Sequence, residues 1–426
     1  MRKTIPILAS LLVVLPLAAF AGGQKEAGPV KVVLFTGKVE TVDWMNDVVN
    51  RFNASQKAVS VTQEYQKDAS NVMKVKFASG DVPDITTVVS QDYVDAGLYR
   101  DLSGEAFWSR ILPSIKELCA DVKTGKDFRV ATNVTTAGIF YNQALFTQLG
   151  LKPAFTWTGF VSNLQAIKAA HPEVTPLFLA GKDSWTLGHL IEFIAHGIIK
   201  QNLGITGSRK AFIYNQADNL RFGAADGPIA SFAAALLELQ SKGLINPDAV
   251  TATYDNQKAA LAGGTAAMIS QGMWVYGDLL KINPATKDTI GFSPFPAITP
   301  TTKPVTLSAE DSVYAVTSGG KHQAEALAFL NFLFQADNQK SYSELLKEPS
   351  AFTDVNADWG PLKDQVKAAL QQGVNIPFTD TPAGFSGDDA GRMVQDLLTG
   401  KYATPQAFAT SYQDAWDKAW NATQKK

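Results

Sequence analysis

The sequence predicts an α/β fold in which a parallel or mixed sheet is covered by helices and the chain is divided into two or three domains. The chain has 426 residues, of which 46% are apolar and only 18% are charged. It can therefore bury more than one large core. Short apolar segments of strand type alternate with amphipathic helical segments along the chain. This β-α-β order favours parallel neighbouring strands with helices on the faces of the sheet.

The first βαβ unit lies within residues 31–90. Residues 31–35 form a short apolar segment typical of a strand, residues 59–65 alternate in polarity as a second strand does, and residues 85–90 predict a third. Between the first two strands, apolar residues recur at i, i+3, i+4 and i+7 and predict one buried helix face, made of Met45, Val48, Val49 and Phe52. This unit is the start of the predicted sheet.

Three later segments predict helices from their capping residues and apolar content. Ser231 is expected to cap a helix that ends at Gly243. Residues 323–334 are rich in Leu and Phe and predict a buried helix. Thr404 and Pro405 are expected to open the last helix of the chain. These helices extend the α/β pattern to the C-terminus.

Composition excludes several classes of function. Lys and Arg total 38 against 40 Asp and Glu, a net charge of −2, so no basic field exists to hold nucleic acid or an anionic membrane surface. Cys119 is the only cysteine, which excludes a disulfide framework within the chain and a multi-thiolate zinc site. We expect a buried thiol there. His189 and His196 could share one helix face, but two ligands without a third are a weak metal signal, and we expect no metal and no cofactor.

The first residues of the chain have the organisation of a cleavable export signal. Two basic residues precede an uncharged apolar run over residues 5–21, which at about 17 residues is short for a bilayer span. The run ends with Ala19 and Ala21, small residues that signal peptidase accepts. We expect residues 1–21 to be removed, residues 22–29 to form a flexible leader, and the protein to stay unlipidated in a periplasm, since no cysteine stands near the cut. A membrane anchor that stays attached is the alternative.

Motifs of common catalytic and nucleotide-binding sites are missing from the sequence. It contains no Gly-x-Gly-x-x-Gly, no Walker-type phosphate loop, no Gly-x-Ser-x-Gly and no His-Glu-x-x-His. The neighbouring acids Glu310 and Asp311, and Asp388 and Asp389, are expected to be solvated or hydrogen-bonded carboxylates rather than the acid/base pair of a glycosidase. We therefore expect a binding protein and not an enzyme.

Aromatic and polar residues beyond the predicted strands are the candidates for ligand recognition. In open α/β sheets, ligands bind beyond the carboxyl ends of strands. These positions hold Lys38 and Glu40, Gln91 and Asp92, and Gln271 and Trp274 beyond a strand at 266–269, while Trp185 stands in a loop-like setting before a helix. An indole can lie against the C–H face of a pyranose while amides and carboxylates bind its hydroxyls. A tryptophan in such a loop can equally fill a core.

Residues 138–146 (GIFYNQALF) resemble the signature of the extracellular solute-binding proteins, family 1, of bacterial ABC importers, relatives of the maltose-binding protein. Two neighbouring positions depart from the family pattern: Thr132 stands where an apolar residue is preferred, and Gln148 where Lys, Asn, Asp or Glu is preferred. Further pieces follow in the family's order, namely GDVPDI at 80–85, TWTGF at 156–160, GTAAM at 264–268 with Gly272 and Trp274, GFSPFP at 291–296, and LTGK at 398–401. The resemblance covers nearly the whole mature chain.

The resemblance implies a two-lobed periplasmic binding protein fold, with mixed sheets flanked by helices and a ligand cleft between lobes joined by crossing strands. Lobe one would be residues 30–139 and 292–337, and lobe two residues 140–291 and 338–426. The implied activity is capture of a sugar by hinge closure and delivery to the transmembrane subunits of an ABC permease. We expect the protein to act as a monomer.

The resemblance also suggests roles for the candidate residues. Trp185 and Trp274 would stack on the ligand, and Phe385 would form a further wall. The ligand hydroxyls would be bound by Gln91, Asp92, Glu40, Asp311 and Gln271, with Lys38 pairing one of the acids.

Two alternatives stay open. The same fold could hold an anionic solute, a polyamine or a metal chelate, although scattered arginines and the lack of a Tyr/His cluster favour a sugar. The chain could instead be an exported glycosidase or lyase. A third class, an adhesin or wall protein, predicts repeats that the sequence does not have.

Overall fold

The computed structural model describes residues 28–382 and 384–424. The predicted signal peptide, and the predicted leader up to residue 27, lie outside these residues. The described strands are β1 (Val30–Thr36), β2 (Val59–Tyr65), β3 (Ile85–Thr86), β4 (Val130–Asn142), β5 (Thr175–Phe178), β6 (Ala266–Gly272), β7 (Ile290–Ser293), β8 (Val305–Val316) and β9 (Val374–Ile376).

The same residues form helices of several lengths. They are α1 (Val42–Ser55), α2 (Ala69–Ser79), α3 (Gln91–Asp95), α4 (Pro113–Cys119), α5 (Gln143–Gln148), α6 (Trp157–Ala170), α7 (Trp185–Ile191), α8 (Gly197–Ile213), α9 (Ala217–Leu220), α10 (Pro228–Ser241), α11 (Tyr254–Ala262), α12 (Tyr276–Ile282), α13 (Thr286–Thr289), α14 (Gln323–Leu333), α15 (Ala336–Leu346), α16 (Lys363–Gln372), α17 (Gly387–Leu398) and α18 (Pro405–Thr423). Short 3₁₀ segments precede α1, α4 and α12, and a π-helical segment joins α7 to α8.

The strands form one continuous mixed sheet in the order β2-β1-β3-β8-β4-β6-β5. β1 is parallel to β2 and β3, and β5 is parallel to β6, whereas β8 runs antiparallel to both β3 and β4. β7 pairs with β4 and β9 with β8, off this path. The predicted α/β architecture of mixed sheets flanked by helices is confirmed.

Two long strands, β4 and β8, join two separate hydrophobic cores. The first core draws its buried residues from 32–131 and 314–352, and the second from 137–309 and 359–416. We call the two packing units the first lobe and the second lobe. The predicted lobe boundaries, 30–139 with 292–337 and 140–291 with 338–426, concern units that move, and they stay a prediction.

The crossing strand β8 contains a strained residue at its centre. Ser312 has a φ of 51°, in the left-handed region that non-glycine residues rarely adopt. The ladder register skips it, since Ala131 pairs with Val313 and Asn133 with Asp311. The Ser312 hydroxyl accepts hydrogen bonds from Lys38 Nζ at 3.0 Å and from the Tyr342 hydroxyl at 2.7 Å. Side chains of the first lobe therefore hold this irregular point of the crossing strand in place.

Several predicted elements are confirmed, and others begin or end elsewhere. The predicted buried face of α1 is buried as expected, and Thr404 caps α18 by accepting the Ala407 N–H at 3.1 Å. Ser231 is not a cap, because Pro228 begins α10 three residues earlier, and the Ser231 hydroxyl donates to Gly227 O at 2.9 Å inside the helix. Cys119 is buried, as predicted, and burial raises the pKa of its thiol to about 12.

Candidate ligand-binding cleft

An aromatic wall forms where strands and helices of the second lobe meet. It consists of Trp185, His189, Tyr254, Trp274 and Phe378, and we keep the name for these five residues. Ring centroids lie 5.0 Å apart for Trp185 and Tyr254, 5.3 Å for Trp185 and His189, 5.6 Å for His189 and Trp274, and 5.7 Å for His189 and Phe378. Tyr254 and Trp274 are buried, each 7% exposed, while the other three are half-buried. The half-buried rings offer faces that a flat ligand could contact.

Close helix packing fixes the position of Trp185 at the start of α7. A Cβ on Gly188 would lie 2.0 Å from Gly387 O, and one on Gly391 would lie 1.8 Å from Ser184 O. Only glycine permits backbones to approach this closely. The glycines therefore let α17 lie directly against α7 and hold Trp185 at the edge of the second lobe.

Polar side chains of the first lobe lie opposite this wall. Lys38 forms an ion pair with Asp311 of β8, and the Tyr254 hydroxyl lies 3.4 Å from Glu40 Oε1. Burial raises the pKa of Glu40. Burial also favours the neutral form of Asp311, but the Lys38 ammonium holds the pKa of Asp311 below its ordinary value. The predicted pairing of Lys38 with one of the candidate acids is present.

Four further opposite-sign pairs lie in the two lobes, whereas Glu40 and Asp388, which accept hydrogen bonds from Tyr254 and Ser184, are in no ion pair among the described residues. The nearest N–O distances are 2.7 Å for Arg129–Glu310, 2.9 Å for Arg209–Asp380, 3.6 Å for Lys200–Glu192 and 2.9 Å for Lys258–Asp278. Burial lowers the pKa of His189, so this ring is neutral at pH 7. The two lobes therefore provide carboxylates, guanidinium groups and ammonium groups, and the cations of these four pairs are each matched by an acid.

Gln271 lies inside a strand, not beyond its end. β6 continues through Gly272, and Gln271 is only 2% exposed. Its carbonyl oxygen accepts the Trp274 indole N–H at 3.1 Å, and its amide N–H donates to Gln257 at 2.7 Å. A Cβ on Gly272 would lie 2.1 Å from the Trp274 ring, so the indole rests directly on the backbone. In this conformation Gln271 supports Trp274 from within the lobe.

Gln91 and Asp92 form the first turn of α3 in the first lobe. The Gln91 amide donates to Asp121 at 2.8 Å and to Asp95 at 3.0 Å, whereas Asp92 is half-buried. Only Ile85 and Thr86 of the predicted strand 85–90 join the sheet. Among the hydrogen bonds of the described residues, none joins this pair to the aromatic wall.

Phe385 lies away from the other candidates. It is 5% exposed and contacts Tyr412 and Trp416 of α18, with ring centroids 5.3 Å apart in each case. The structure therefore places Phe385 in the core of the second lobe and does not bring it to the aromatic wall.

Sequence reasoning missed three members of the wall, each of which had a local signal. Phe378 follows β9 and Tyr254 begins α11 after the capping residue Thr253, so both stand at ends of regular elements. His189 has only a weak signal as a metal ligand in the sequence, although it stands one helical turn after Trp185. Nothing in the local sequence indicates that these residues meet.

The ranges 28–382 and 384–424 contain neither a candidate metal site nor a candidate membrane-spanning helix. No three His, Cys, Asp or Glu side chains there are placed to hold one metal ion. In the same ranges, no helix combines the length and the apolar character needed to cross a membrane.

Comparison with known proteins identifies the family to which this chain belongs. Residues 38–340 match the family described as bacterial extracellular solute-binding protein. The match covers most of the chain, and the chain therefore belongs to this family. The predicted family is confirmed, and with it a solute-binding protein rather than an adhesin.

Relatives and solved structures extend this comparison. The chain is 26% identical over 369 residues to the multiple sugar-binding protein of Streptococcus mutans serotype c (strain ATCC 700610 / UA159), covering 84% of this chain and 82% of the relative. It is 25% identical over 374 residues to the melibiose/raffinose/stachyose-binding protein MelE of Bacillus subtilis (strain 168), covering 84% and 83%.

Among solved structures, RafE in complex with raffinose matches with a TM-score of 0.77 and 23% identity, covering 93% of this chain and 100% of that one. A Bacillus licheniformis sugar transporter in complex with stachyose matches with a TM-score of 0.76 and 22% identity, covering 92% and 100%. At these identities the likeness shows the fold.

Proposed function

We propose that this protein captures a neutral oligosaccharide in the cleft between its lobes and delivers it to the permease of a bacterial ABC importer. It carries out no covalent step. The protein is exported, is cleaved after Ala21, stays unlipidated in the periplasm and acts as a monomer. The family supports the solute-binding role, and the composition of the cleft supports the class of ligand.

The observation that carries the proposal is an aromatic wall that faces paired charges. Indole and phenol rings bind the C–H face of a sugar, and carboxylates and guanidinium groups bind its hydroxyls. The ion pairs Lys38–Asp311 and Arg129–Glu310 already balance their own charges. An anion would lose hydration without gaining a free counter-charge from these pairs. This pairing of the cations favours a neutral ligand over an anionic one.

The names of the relatives suggest the ligands to test first. The Bacillus subtilis relative is described as binding melibiose, raffinose and stachyose, and RafE was solved with raffinose. We therefore propose an oligosaccharide of the raffinose type. Trp185 is the residue we expect to stack on it, because this ring is half-buried while Trp274 is covered.

Closure of the cleft would use the crossing strands as a hinge. We place the change of lobe within β4 and β8, between the segments that belong to the two cores. The ligand favours the closed state through contacts that it makes with both lobes, since equal affinity for open and closed states would shift no population. The lobes would turn about the region of the strained Ser312.

A thermal-shift screen of residues 22–426 tests the proposed ligand. The panel contains raffinose, stachyose and melibiose, with maltotriose, a galacturonic acid trimer and spermidine as comparisons. A ligand present at about 100 times its Kd should stabilise the folded state by about 2.7 kcal/mol. We expect this shift with the raffinose-type sugars and none with the charged compounds.

Two variants locate the binding surface. Trp185→Ala should abolish the shift, whereas Trp420→Ala removes a half-buried tryptophan of α18, outside the wall, and should retain it. A shift produced by spermidine or the galacturonic acid trimer would contradict the neutral ligand. Equal shifts in both variants and the wild type would remove Trp185 from the site, and hydrolysis of the recovered sugar would show an enzyme instead.

A further inference from the structure

Contacts between the lobes occur at a distance from the crossing strands. β2 is the outer strand of the first lobe, separated from β8 by β1 and β3, and β5 is the outer strand of the second lobe, separated from β4 by β6. With about 4.8 Å between neighbouring strands, these outer strands lie about 14 Å and about 10 Å from the crossing strands. Groups that follow them separate more than groups beside the hinge when the lobes rotate apart.

A chain of polar contacts joins the lobes in this outer region. Lys67, which follows β2, places its Nζ 3.7 Å from Asp183 Oδ1 in the loop after β5. Asp183 Oδ2 accepts the backbone N–H of Tyr254 at 2.8 Å. The Tyr254 hydroxyl lies 3.4 Å from Glu40 Oε1 in the first lobe. The chain thus begins and ends in the first lobe and passes through the second.

We propose that Tyr254 is a positioning residue that retains the ligand: with Asp183 it ties Lys67 and Glu40 of the first lobe to the second lobe and slows opening of the closed cleft. We call these four residues the rim clasp. This inference rests on the proposed function, because it assigns to the same cleft the contacts that set the ligand's residence time.

Tyr254 is held rigidly for this task. It begins α11, where the capping box of Thr253 and Asn256 fixes the first turn. The ammonium of Lys258 lies 4.4 Å from the centre of the Tyr254 ring. The centroid of the Trp185 ring lies 5.0 Å from that of the Tyr254 ring. A side chain ordered in advance loses little entropy when the lobes meet. Burial and the neighbouring Glu40 carboxylate raise the pKa of Tyr254, so its hydroxyl keeps the proton that it donates.

The rim clasp consists of protein groups on both sides of the cleft, and this has a consequence for specificity. Breaking it removes stabilisation from the closed state whichever sugar is inside. The dissociation rate should therefore rise by a similar factor for each ligand, and selectivity between ligands should stay unchanged. Association should change little, because the ligand meets the open cleft before the clasp forms.

Two substitutions break the clasp without removing the aromatic wall. Tyr254→Phe deletes the hydroxyl and keeps the ring, and Lys67→Met deletes an ammonium whose side chain is 84% exposed. Lys74→Met, on an exposed lysine of α2, is the matched control. Stopped-flow tryptophan fluorescence with raffinose measures association and dissociation rates separately.

We expect Tyr254→Phe to raise the dissociation rate about 5-fold, as the loss of one hydrogen bond allows. Lys67→Met should raise it about 2-fold, and about 1 M NaCl should abolish the difference from wild type. Lys67→Met should have no further effect in an Asp183→Asn background. Unchanged dissociation in both variants, or a 5-fold effect in the Lys74→Met control, would overturn the rim clasp while leaving raffinose binding intact.

A second measurement separates this inference from the choice of ligand. Spin labels on Val75→Cys and Lys152→Cys, exposed positions in the first and second lobes, report the distance between lobes without any sugar. Cys119 is 3% exposed and should stay unlabelled. If raffinose fails to bind, the proposed ligand is wrong, and the clasp is judged by these distances alone. Both clasp variants should deplete the short-distance population; identical distributions in all variants would refute the clasp.

Discussion

Arg209 offers the sharpest test of how the lobes are held together. It lies on α8 of the second lobe, where Nε donates to Asp380 Oδ2 at 2.9 Å. Its two terminal nitrogens each donate at 3.1 Å to the first lobe, to the carbonyl oxygens of Glu117 and Ala120 at the C-terminal end of α4. One guanidinium therefore neutralises a buried acid and caps a helix of the other lobe. The perturbation is Arg209→Met, which keeps much of the side-chain volume and removes the charge and all of these donors.

The expected loss follows from burial of the pair. The side chains of Arg209 and Asp380 are 10% and 13% exposed, so water can replace the lost partner only in part. Removing one member of a buried ion pair costs about 3–5 kcal/mol. Arg209→Lys keeps the charge but cannot reach both carbonyl oxygens and the carboxylate in one plane, and we expect a loss of about 1–3 kcal/mol.

Urea unfolding at pH 7, followed by circular dichroism and by tryptophan fluorescence, measures these losses. The two transitions must coincide before one free energy of unfolding is assigned to a two-lobed chain. A double variant, Arg209→Met with Asp380→Leu, should be more stable than the sum of the single losses predicts, because it leaves no unpaired buried charge. A loss below about 1 kcal/mol for Arg209→Met, or strictly additive losses, would refute this account of the contact.

Three further predictions concern single residues. Glu348 is fully buried, and burial raises its pKa to about 8. The folded state therefore keeps a proton that the unfolded chain releases near pH 4.5. The free energy of unfolding should fall as pH rises from about 5 to 8, by at most about 1.4 kcal/mol per pH unit. Glu348→Gln should remove that part of the slope in urea unfolding measured at several pH values, and an unchanged slope would contradict a protonated Glu348. Lys347 has a φ of 59° at the end of α15, so Lys347→Gly should raise the melting temperature through a gain of about 1 kcal/mol, and a lower melting temperature would count against the strain. Gln271→Ala leaves the Trp274 indole N–H and the side-chain oxygen of Gln257 without the hydrogen bonds that Gln271 makes to them, and it should cost about 1–3 kcal/mol of stability. Unaltered stability with weakened sugar binding would instead favour direct contact between Gln271 and the ligand.

The placement of Gln271 shows where reasoning from sequence stops. The local pattern predicts the apolar strand before Gln271, and Gly272 predicts a turn after the end of that strand. In the structure the ladder between β4 and β6 extends to Gly272, and the Trp274 ring lies against that glycine. The position at which β6 ends is therefore decided by its partner strand β4, which lies more than a hundred residues earlier in the chain. Local patterns carry no signal of that partner.

The sequence alone determined the α/β class, the amphipathic face of α1, the N-terminal cap of α18 and, through the segment at 138–146, the family. Each of these depends on spacing within one segment or on a short motif, which the chain displays directly. The tertiary structure alone decided that Tyr254 meets Glu40, 214 residues away, and that Arg209 caps a helix of the opposite lobe. Such contacts form because β4 and β8 cross between the lobes and bring distant loops together. Periodicity specifies which face of an element is buried, but the packing of the whole chain specifies what that face meets.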